Sequence, residues 1–181
     1  MRLTGGLDRG RRLFVPRGSR TRPTASKVRE AIFNILGPPP GSVLDLYAGS
    51  GALGLESLSR GAASAVFVER DGNALSALRR NLREAGVEGR SRVLAADVRS
   101  ALRKLAGGDE RFSWVFLDPP YVKDIAGVLA ELSGALLTPC AVVIVEHDRR
   151  HPPPDSVGCL FLTDRREYGD TELSFYRCSG S

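Results

Sequence analysis

From Ser42 onward, short apolar runs alternate with segments that have the apolar spacing of helices. This alternation constrains the fold more than any other feature of the sequence. Apolar runs that alternate with helices pair as parallel strands, with the helices covering both faces of the sheet. Only a turn separates the last two runs, which predicts that this pair is antiparallel. We therefore predict an α/β, Rossmann-like fold with a sheet of seven strands.

The predicted elements follow from apolar spacing and from the Gly and Pro residues that end them. The strands are predicted at Val43–Tyr47, Ala65–Glu69, Arg92–Ala96, Trp114–Asp118, Ala141–Glu146, Cys159–Leu162 and Leu173–Arg177. The core helices are predicted at about Ala52–Arg60, Gly72–Ala85, Val98–Leu105 and Asp124–Leu136. Before the core, glycines among short apolar-basic runs predict a β-hairpin or flexible arm, and a helix follows from Pro23. We expect an appendage over residues 1–41 and a larger domain over residues 42–181.

Charge is concentrated at the start of the chain. The first thirty residues carry a net charge of +7, whereas the remaining 151 carry −2. Such a cationic segment favours a polyanionic partner, since guanidinium groups neutralise phosphates and release counterions; a solvated tail is the alternative. The candidate nucleic-acid contacts are Arg9, Arg11, Arg12, Arg17, Arg20, Arg22, Lys27 and Arg29.

Length and residue inventory exclude several classes of protein. A chain of 181 residues has the size of one domain, and its apolar runs are far too short to cross a bilayer. No signal peptide is evident, and three scattered cysteines with two histidines predict neither a disulfide framework nor a zinc site. We expect a monomer without metal in the reducing cytoplasm.

A glycine loop directly follows the first predicted strand. Gly49, Gly51 and Gly54 match the G-x-G-x-x-G fingerprint of dinucleotide-binding proteins, but they also follow Asp45 in the D-x-x-x-G-x-G pattern of S-adenosylmethionine enzymes. A carboxylate before the loop repels a pyrophosphate and attracts the cationic amino group of a methionine tail, which favours the second interpretation. Glu69, at the end of the next strand, is suited to the two hydroxyls of a ribose in either case. Asp97 either contacts the adenine or caps the following helix.

The fourth predicted strand ends in Asp118-Pro119-Pro120-Tyr121. The two prolines remove N–H donors, so this loop presents a carboxylate and carbonyls, which are acceptors suited to an exocyclic amine. Tyr121 adds an aromatic face on which a base can stack. Hydrogen bonds to Asp118 and to the Pro119 carbonyl would localise the amine lone pair for in-line attack on a sulfonium methyl group. We predict these four residues as the catalytic loop.

Taken together, these motifs resemble the bacterial small-subunit ribosomal RNA guanine-N2 methyltransferase family. Beside the glycine and Asp-Pro-Pro-Tyr loops, the resemblance rests on Arg22-Pro23-Thr24, residues 29–34 and Tyr168-Gly169-Asp170-Thr171, and covers about Leu3 to Tyr176. It implies a seven-stranded methyltransferase domain, S-adenosylmethionine as donor, an RNA-contacting N-terminal hairpin, and guanine 966 of 16S RNA, free or within an assembling 30S particle, as target. The residues expected to hold the cofactor are Asp45, Tyr47, Ala48, Gly49, Ser50, Gly51, Glu69, Arg70, Asp97 and Val98.

Three other functions fit parts of the sequence. An adenine-N6 methyltransferase would also present an exocyclic amine to the Asp-Pro-Pro-Tyr loop, but the forty residues before the core are few for a DNA target-recognition region. A nicotinamide oxidoreductase would rest on the glycine pattern alone and conflicts with Asp45. A non-catalytic RNA-binding module would have no use for the catalytic loop.

Overall fold

The computed structural model describes residues 1–16, 23–119, 124–132 and 134–178, without the side chains of residues 23–25. The helices in the described ranges are α1 (Pro23–Leu36), α2 (Ala52–Ser59), α3 (Gly72–Ala85), α4 (Val98–Ala106) and α5 (Ile125–Glu131). The strands are β1 (Val43–Leu46), β2 (Ala65–Glu69), β3 (Ser91–Ala95), β4 (Phe112–Leu117), β5 (Leu137–Asp148), β6 (Ser156–Val157), β7 (Leu160–Tyr168) and β8 (Thr171–Cys178). A 3-10 turn at Glu88–Arg90 precedes β3.

All eight of these strands form one sheet, in the order β3-β2-β1-β4-β5-β8-β7-β6. The first five strands pair in parallel, and β8 lies antiparallel between β5 and β7. The predicted fold class and the antiparallel end are confirmed. The predicted strand number is wrong by one, because Ser156 and Val157 pair with the start of β7 over a length too short to show an alternating pattern.

The largest boundary differences are at β5 and β7. The sequence predicted a helix to Leu136 and a strand from Ala141, but α5 ends at Glu131 and β5 already begins at Leu137. Leu137 pairs with Phe112 and Val142 with Trp114, so residues 138–141 of β5 lie opposite Ser113 alone and form an irregularity within the longer strand. Strand β7 runs on to Tyr168 because its outer part also pairs with β8, although the side chains of residues 161–168 are all exposed or partly exposed and form no apolar run.

Two apolar layers cover the sheet. One contains residues of α1, α2 and α3 packed on Val43, Phe67, Trp114 and Phe116, and the other contains residues of α4 and α5 packed on the opposite side chains of the same strands. This arrangement follows from the alternation of side chains along each strand, which places successive residues on opposite faces. It leaves the carboxyl ends of β1 to β4 side by side at one edge.

Residues 1–16, which we call the arm, fold back on themselves and pack on the first layer. Arg2 and Arg12 form an antiparallel bridge, and Leu3 N–H donates to the Arg11 carbonyl over 3.0 Å. Leu3 and Leu13 are each 3% exposed and belong to the same buried cluster as Phe33 of α1. The boundary at residue 41 therefore marks a change in composition, whereas the apolar core is shared across it.

Two cysteines differ from the expectation of unpaired thiols. Cys159 and Cys178 form a disulfide, with their Cα atoms 5.0 Å apart. The pairing of β7 with β8 brings these residues together although 19 positions separate them in the chain, which sequence spacing did not reveal. Within the described ranges, no helix combines the length and apolarity that a bilayer span requires.

Candidate active site

The carboxyl ends of four parallel strands form the candidate site. Asp45 lies within β1, Glu69 ends β2, Asp97 follows β3 and Asp118 follows β4. In the strand order β3-β2-β1-β4, these acidic residues occupy neighbouring positions along one edge. The structure thus brings together the predicted acidic residues at the place where ligands bind in open α/β sheets.

The glycine loop connects β1 to α2 through left-handed backbone. Tyr47, Gly49 and Gly51 have φ values of 59°, 56° and 80°. A Cβ at Gly51 would overlap Leu78, and a Cβ at Gly54 would overlap Phe67, so these two glycines are required by internal packing. A Cβ at Gly49 would meet nothing within 4 Å. Gly49 is therefore the position where the loop backbone adjoins open space for a ligand.

Carboxylates hold this loop in place. Asp45 Oδ2 accepts from Gly54 N–H and Glu69 Oε2 accepts from Gly49 N–H, both over 2.9 Å. Glu69 Oε1 also accepts from the N–H groups of Arg70 and Asp71. Three of about four acceptor sites on the Glu69 carboxylate are thus used within the protein. A ribose would have to use the remaining site or replace one of these backbone donors.

Asp45 has a strongly perturbed pKa. Burial is the main cause and raises the pKa to about 8, while the hydrogen bond from Gly54 opposes the rise. The negative charges of Asp118 and Glu69 raise the pKa of Asp45 further, so these three carboxyl groups interact electrostatically. Desolvation also raises the pKa of Asp118, an effect that the exposed surface of this side chain limits. With a pKa of about 8, Asp45 is mostly protonated at neutral pH, so the negative charge of this edge comes from Glu69 and Asp118. A cationic ligand is attracted by that charge and would favour ionisation of Asp45 as well.

Asp97 caps α4 and also lies at the edge where it was predicted to contact a ligand. Its side chain accepts from Arg99 N–H as the N-cap of α4, and it lies 3.6 Å from the guanidinium of Arg70. Half of the Asp97 side chain is exposed, so a ligand at the edge can still reach this residue. The side chains of Ala48, Ser50 and Val98 are buried, which restricts any ligand contact from these residues to the backbone.

The catalytic loop is described only at its start. Asp118 is exposed directly after β4, and Pro119 is partly exposed beside it. Pro120 and Tyr121 lie outside the described residues, so their predicted roles stay predictions. His147, one of the two histidines, is buried; its Nδ1 is 3.0 Å from the Asp148 carbonyl and its Nε2 is 2.8 Å from Ser174 Oγ. These contacts give His147 a structural position in the sheet.

The predicted RNA-contacting residues separate into three groups. Arg9, Arg12 and Lys27 are exposed, whereas Arg11 is paired with Asp8 and donates to the Glu84 carbonyl. Arg29 must be corrected: it is 3% exposed and its Nε donates to Glu56 Oε2 over 2.7 Å, so its guanidinium is not available to RNA. The third group, outside the described residues, is Arg17, Arg20 and Arg22.

Two functional candidates were missed by the sequence analysis. Glu56 of α2 is fully buried and accepts from Thr4, Arg29 and Arg60. Asn81 of α3 is 2% exposed and bonds both the arm and the glycine loop. Asn81 falls on the apolar stripe of its helix with Leu78 and Leu82, and a polar residue in such a stripe is a signal that could have found it.

A family model described as "Conserved hypothetical protein 95" matches residues 1–177. The chain belongs to this family. It is 38% identical to a Bacillus subtilis protein named "Putative rRNA methyltransferase YlbH", over 99% of this chain and 100% of that protein. It is 42% identical to the Escherichia coli "Ribosomal RNA small subunit methyltransferase D", over 75% of this chain and 66% of that protein.

A solved structure supports the same assignment. The Escherichia coli protein described as "Putative methyltransferase yhhF" superposes with a TM-score of 0.85 at 31% identity, covering 100% of this chain and 99% of that one. The family resemblance and the methyltransferase fold predicted from the sequence are confirmed, with eight strands in place of seven.

Proposed function

We propose that this protein transfers a methyl group from S-adenosylmethionine to the exocyclic N2 amine of a guanine in 16S ribosomal RNA, the guanine numbered 966. The observation that carries the proposal is the shared edge formed by Asp45, Glu69 and Asp118 beside the glycine loop. Family membership and relatives named as ribosomal RNA methyltransferases support the substrate class.

The electronegative edge favours this cofactor over a nicotinamide dinucleotide. S-adenosylmethionine carries a sulfonium and an ammonium group, both attracted by carboxylates, whereas the pyrophosphate of a dinucleotide is repelled by them. Asp45 and Glu69 would lie nearest the glycine loop, and Gly49 offers the open backbone beside it. The ten residues predicted from the sequence remain our proposed cofactor residues. Ala48, Ser50 and Val98 would act through backbone atoms, and Asp45, which is 2% exposed, would act through its charge and through the loop backbone that it holds.

Asp118 would act on the target amine. The bound cofactor supplies an electrophilic methyl group. Asp118 accepts a hydrogen bond from the exocyclic amine, and the Pro119 carbonyl accepts a second, so that the nitrogen lone pair points at the methyl carbon. The amine nitrogen would take the methyl group, the cofactor sulfur would be left as a neutral thioether, and the proton that the amine loses would pass to the Asp118 carboxylate. The raised pKa of Asp118 suits a carboxylate that stands beside this proton.

The arm and the surface around it would hold the RNA. Arg9, Arg12 and Lys27 present exposed charges, and we propose that they contact phosphates without reading bases. Arg17, Arg20 and Arg22 would add to them. We propose that the protein acts as a monomer in the cytoplasm, on 16S RNA that is either free or part of an assembling 30S particle.

Mass mapping of methylated nucleosides tests the proposal. The purified chain and S-adenosylmethionine are incubated with transcribed 16S RNA and, separately, with small subunits from cells that lack the gene. We expect N2-methylguanosine at position 966 in at least one substrate. Asp118→Asn serves as the catalytic control and Asp109→Asn, an exposed residue between α4 and β4, as the matched control.

The other outcomes distinguish the alternatives. N6-methyladenosine would assign the same site to adenine, and methylation at another guanine would keep the reaction but change the target. Calorimetry with S-adenosylhomocysteine and with NAD tests the cofactor. Binding of NAD without binding of S-adenosylhomocysteine would overturn the methyltransferase proposal.

A further inference from the structure

One buried side chain bonds to both the arm and the glycine loop. Asn81 Oδ1 accepts from Phe14 N–H over 2.8 Å, and Asn81 Nδ2 donates to the Phe14 carbonyl over 2.9 Å. The same Nδ2 donates to the Ser50 carbonyl in the glycine loop over 2.9 Å. Asn81 thus pairs with both backbone groups of one arm residue and with one backbone group of the loop.

Every donor of this amide is used. A primary amide has two N–H donors and one acceptor oxygen, and Asn81 gives one N–H to the arm, one to the loop and its oxygen to the arm. At 2% exposure, water cannot replace a partner that moves away. A displacement of Ser50 or of Phe14 would therefore leave a buried polar group unpaired, and this ties the two segments to one position of Asn81.

The contacts around Phe14 extend the connection along α3. The Arg80 guanidinium lies 3.3 Å from the centre of the Phe14 ring, and Arg11 donates to the Glu84 carbonyl over 2.6 Å. The end of the arm thus lies on the helix that carries Asn81. In the sequence, the basic residues Arg17, Arg20 and Arg22 follow Phe14 within eight positions.

We propose that Asn81 is a positioning residue that couples cofactor binding to RNA binding. The inference rests on the proposed function, and it adds that each ligand strengthens the binding of the other. A cofactor that lies against the glycine loop fixes the Ser50 carbonyl, which fixes Asn81 and, through it, the backbone of Phe14. The residual motion of the Phe14 end of the arm is then already restricted when RNA binds, so the cost of restricting it is met once for both ligands. By thermodynamic linkage the two enhancements are equal.

A pair of titrations on the full chain tests the coupling. The affinity for transcribed 16S RNA is measured without S-adenosylhomocysteine and at its saturating concentration, and the affinity for S-adenosylhomocysteine is measured without and with RNA. In the wild-type protein we expect both ratios to be equal and at least about fivefold, the lower end of typical coupling between sites. If the wild-type protein binds each ligand equally well with and without the other, the proposed coupling is wrong, and no variant is needed to show it.

Asn81→Asp then tests the residue. The substitution keeps an acceptor for Phe14 N–H at nearly the same size but removes both donated hydrogen bonds. We expect the coupling ratio, which is the affinity for one ligand with the other present divided by the affinity without it, to fall to about one. Each ligand should still bind in the absence of the other. Asn73→Asp is the matched control, because it makes the same change at an exposed position of the same helix and should keep the ratio. An undiminished ratio in a folded Asn81→Asp protein overturns the assignment to Asn81.

A second variant and the cofactor titration separate the possible failures of this test. If Asn81→Asp does not fold, Asn81→Ser is measured instead, and a retained ratio in that variant contradicts the proposal. If the wild-type protein binds no S-adenosylhomocysteine, the proposed function itself fails. If both ligands bind but neither affects the other, only the coupling fails.

Discussion

Arg29 of α1 and Glu56 of α2 form an ion pair shielded from solvent: Arg29 Nε donates to Glu56 Oε2 over 2.7 Å, and the two side chains are 3% and 0% exposed. Glu56 also accepts from Thr4 N–H of the arm over 3.1 Å and from Arg60 over 2.8 Å. Arg29 donates in turn to the Arg2 carbonyl. One carboxylate therefore joins the arm, α1 and the helix that follows the glycine loop.

Removing this carboxylate should destabilise the fold strongly. In Glu56→Ala the buried guanidinium of Arg29 loses its counter-ion, and breaking a buried pair in this way costs about 3–5 kcal/mol. Urea unfolding at pH 7 measures the loss. Glu30→Ala, at an exposed position of α1, is the control and should change the unfolding free energy by less than about 0.5 kcal/mol. A loss below about 1 kcal/mol in Glu56→Ala would contradict a stabilising role of the pair.

Glu56 should also make stability sensitive to acid. Burial raises the pKa of Glu56, but the hydrogen bonds from Thr4, Arg29 and Arg60 outweigh burial and hold the pKa below its ordinary value of 4.5. The folded state thus binds this proton less readily than the unfolded state, so the contribution is complete above pH 4.5 and is lost as the pH falls through the folded pKa. Thermal melts from pH 7 to pH 3 should show a steeper loss for the wild-type protein than for Glu56→Gln. Parallel curves would contradict this prediction.

Asp45 should have the opposite pH dependence. Its folded pKa is raised to about 8, so the folded state retains this proton at pH values where the unfolded state releases it. Its contribution to stability is therefore complete at acid pH and decreases as the pH rises from about 4 towards 8. The unfolding free energy of Asp45→Asn relative to wild type should increase between pH 5 and pH 8 by at least about 1.4 kcal/mol, the value of one pKa unit. A pH-independent difference would show that Asp45 is not perturbed.

The strand ends of the site could be predicted because Glu69, Asp97 and Asp118 stand at the ends of apolar runs and Asp45 lies one residue before the end of its own. Parallel strands place such residues at one edge, whereas the position of β4 beside β1 was not predicted and came from the structure. Arg29 could not be assigned correctly in this way. It stands in a basic segment of the sequence, and its buried partner Glu56 is 27 residues away, on another helix. Only the packing of α1 on α2 shows that its charge is already neutralised.

The contacts between the arm and the core could not be predicted from the sequence either. Charge predicts that the arm binds RNA, and the start of the core strands after Ser42 predicts that the core folds without residues 1–18. Leu3 and Leu13 are instead buried in the core cluster, and Thr4 donates to the buried Glu56. Point substitutions of exposed arm residues are therefore better tests of RNA binding than deletion of the arm.

Asp118 should be needed for turnover and not for cofactor binding. Its carboxylate is proposed to act on the target amine, so Asp118→Ala should reduce kcat by at least about 10²-fold, the lower range for one positioned catalytic group, and leave the Kd for S-adenosylhomocysteine nearly unchanged. Asp118→Asn keeps one acceptor oxygen and should retain a trace of activity. Asp109→Ala, at an exposed position before β4, should behave as wild type. Wild-type turnover in Asp118→Ala would be fatal to the mechanism.

The exposed arginines of the arm should contribute to RNA binding through charge alone. Arg9 and Arg12 are exposed, whereas Arg11 is partly neutralised by Asp8. If each of the two contacts one phosphate, Arg9→Ala with Arg12→Ala should flatten the slope of log affinity against log salt concentration by roughly 1.4–1.8 units. The loss of affinity should be similar for different RNA sequences, because phosphate contacts carry no base information. The matched control is Arg103→Ala with Lys104→Ala, which removes two exposed charges from α4 on the opposite face of the sheet. An arm variant whose salt slope matches both this control and the wild type would show that the arm charges serve a purpose other than RNA binding.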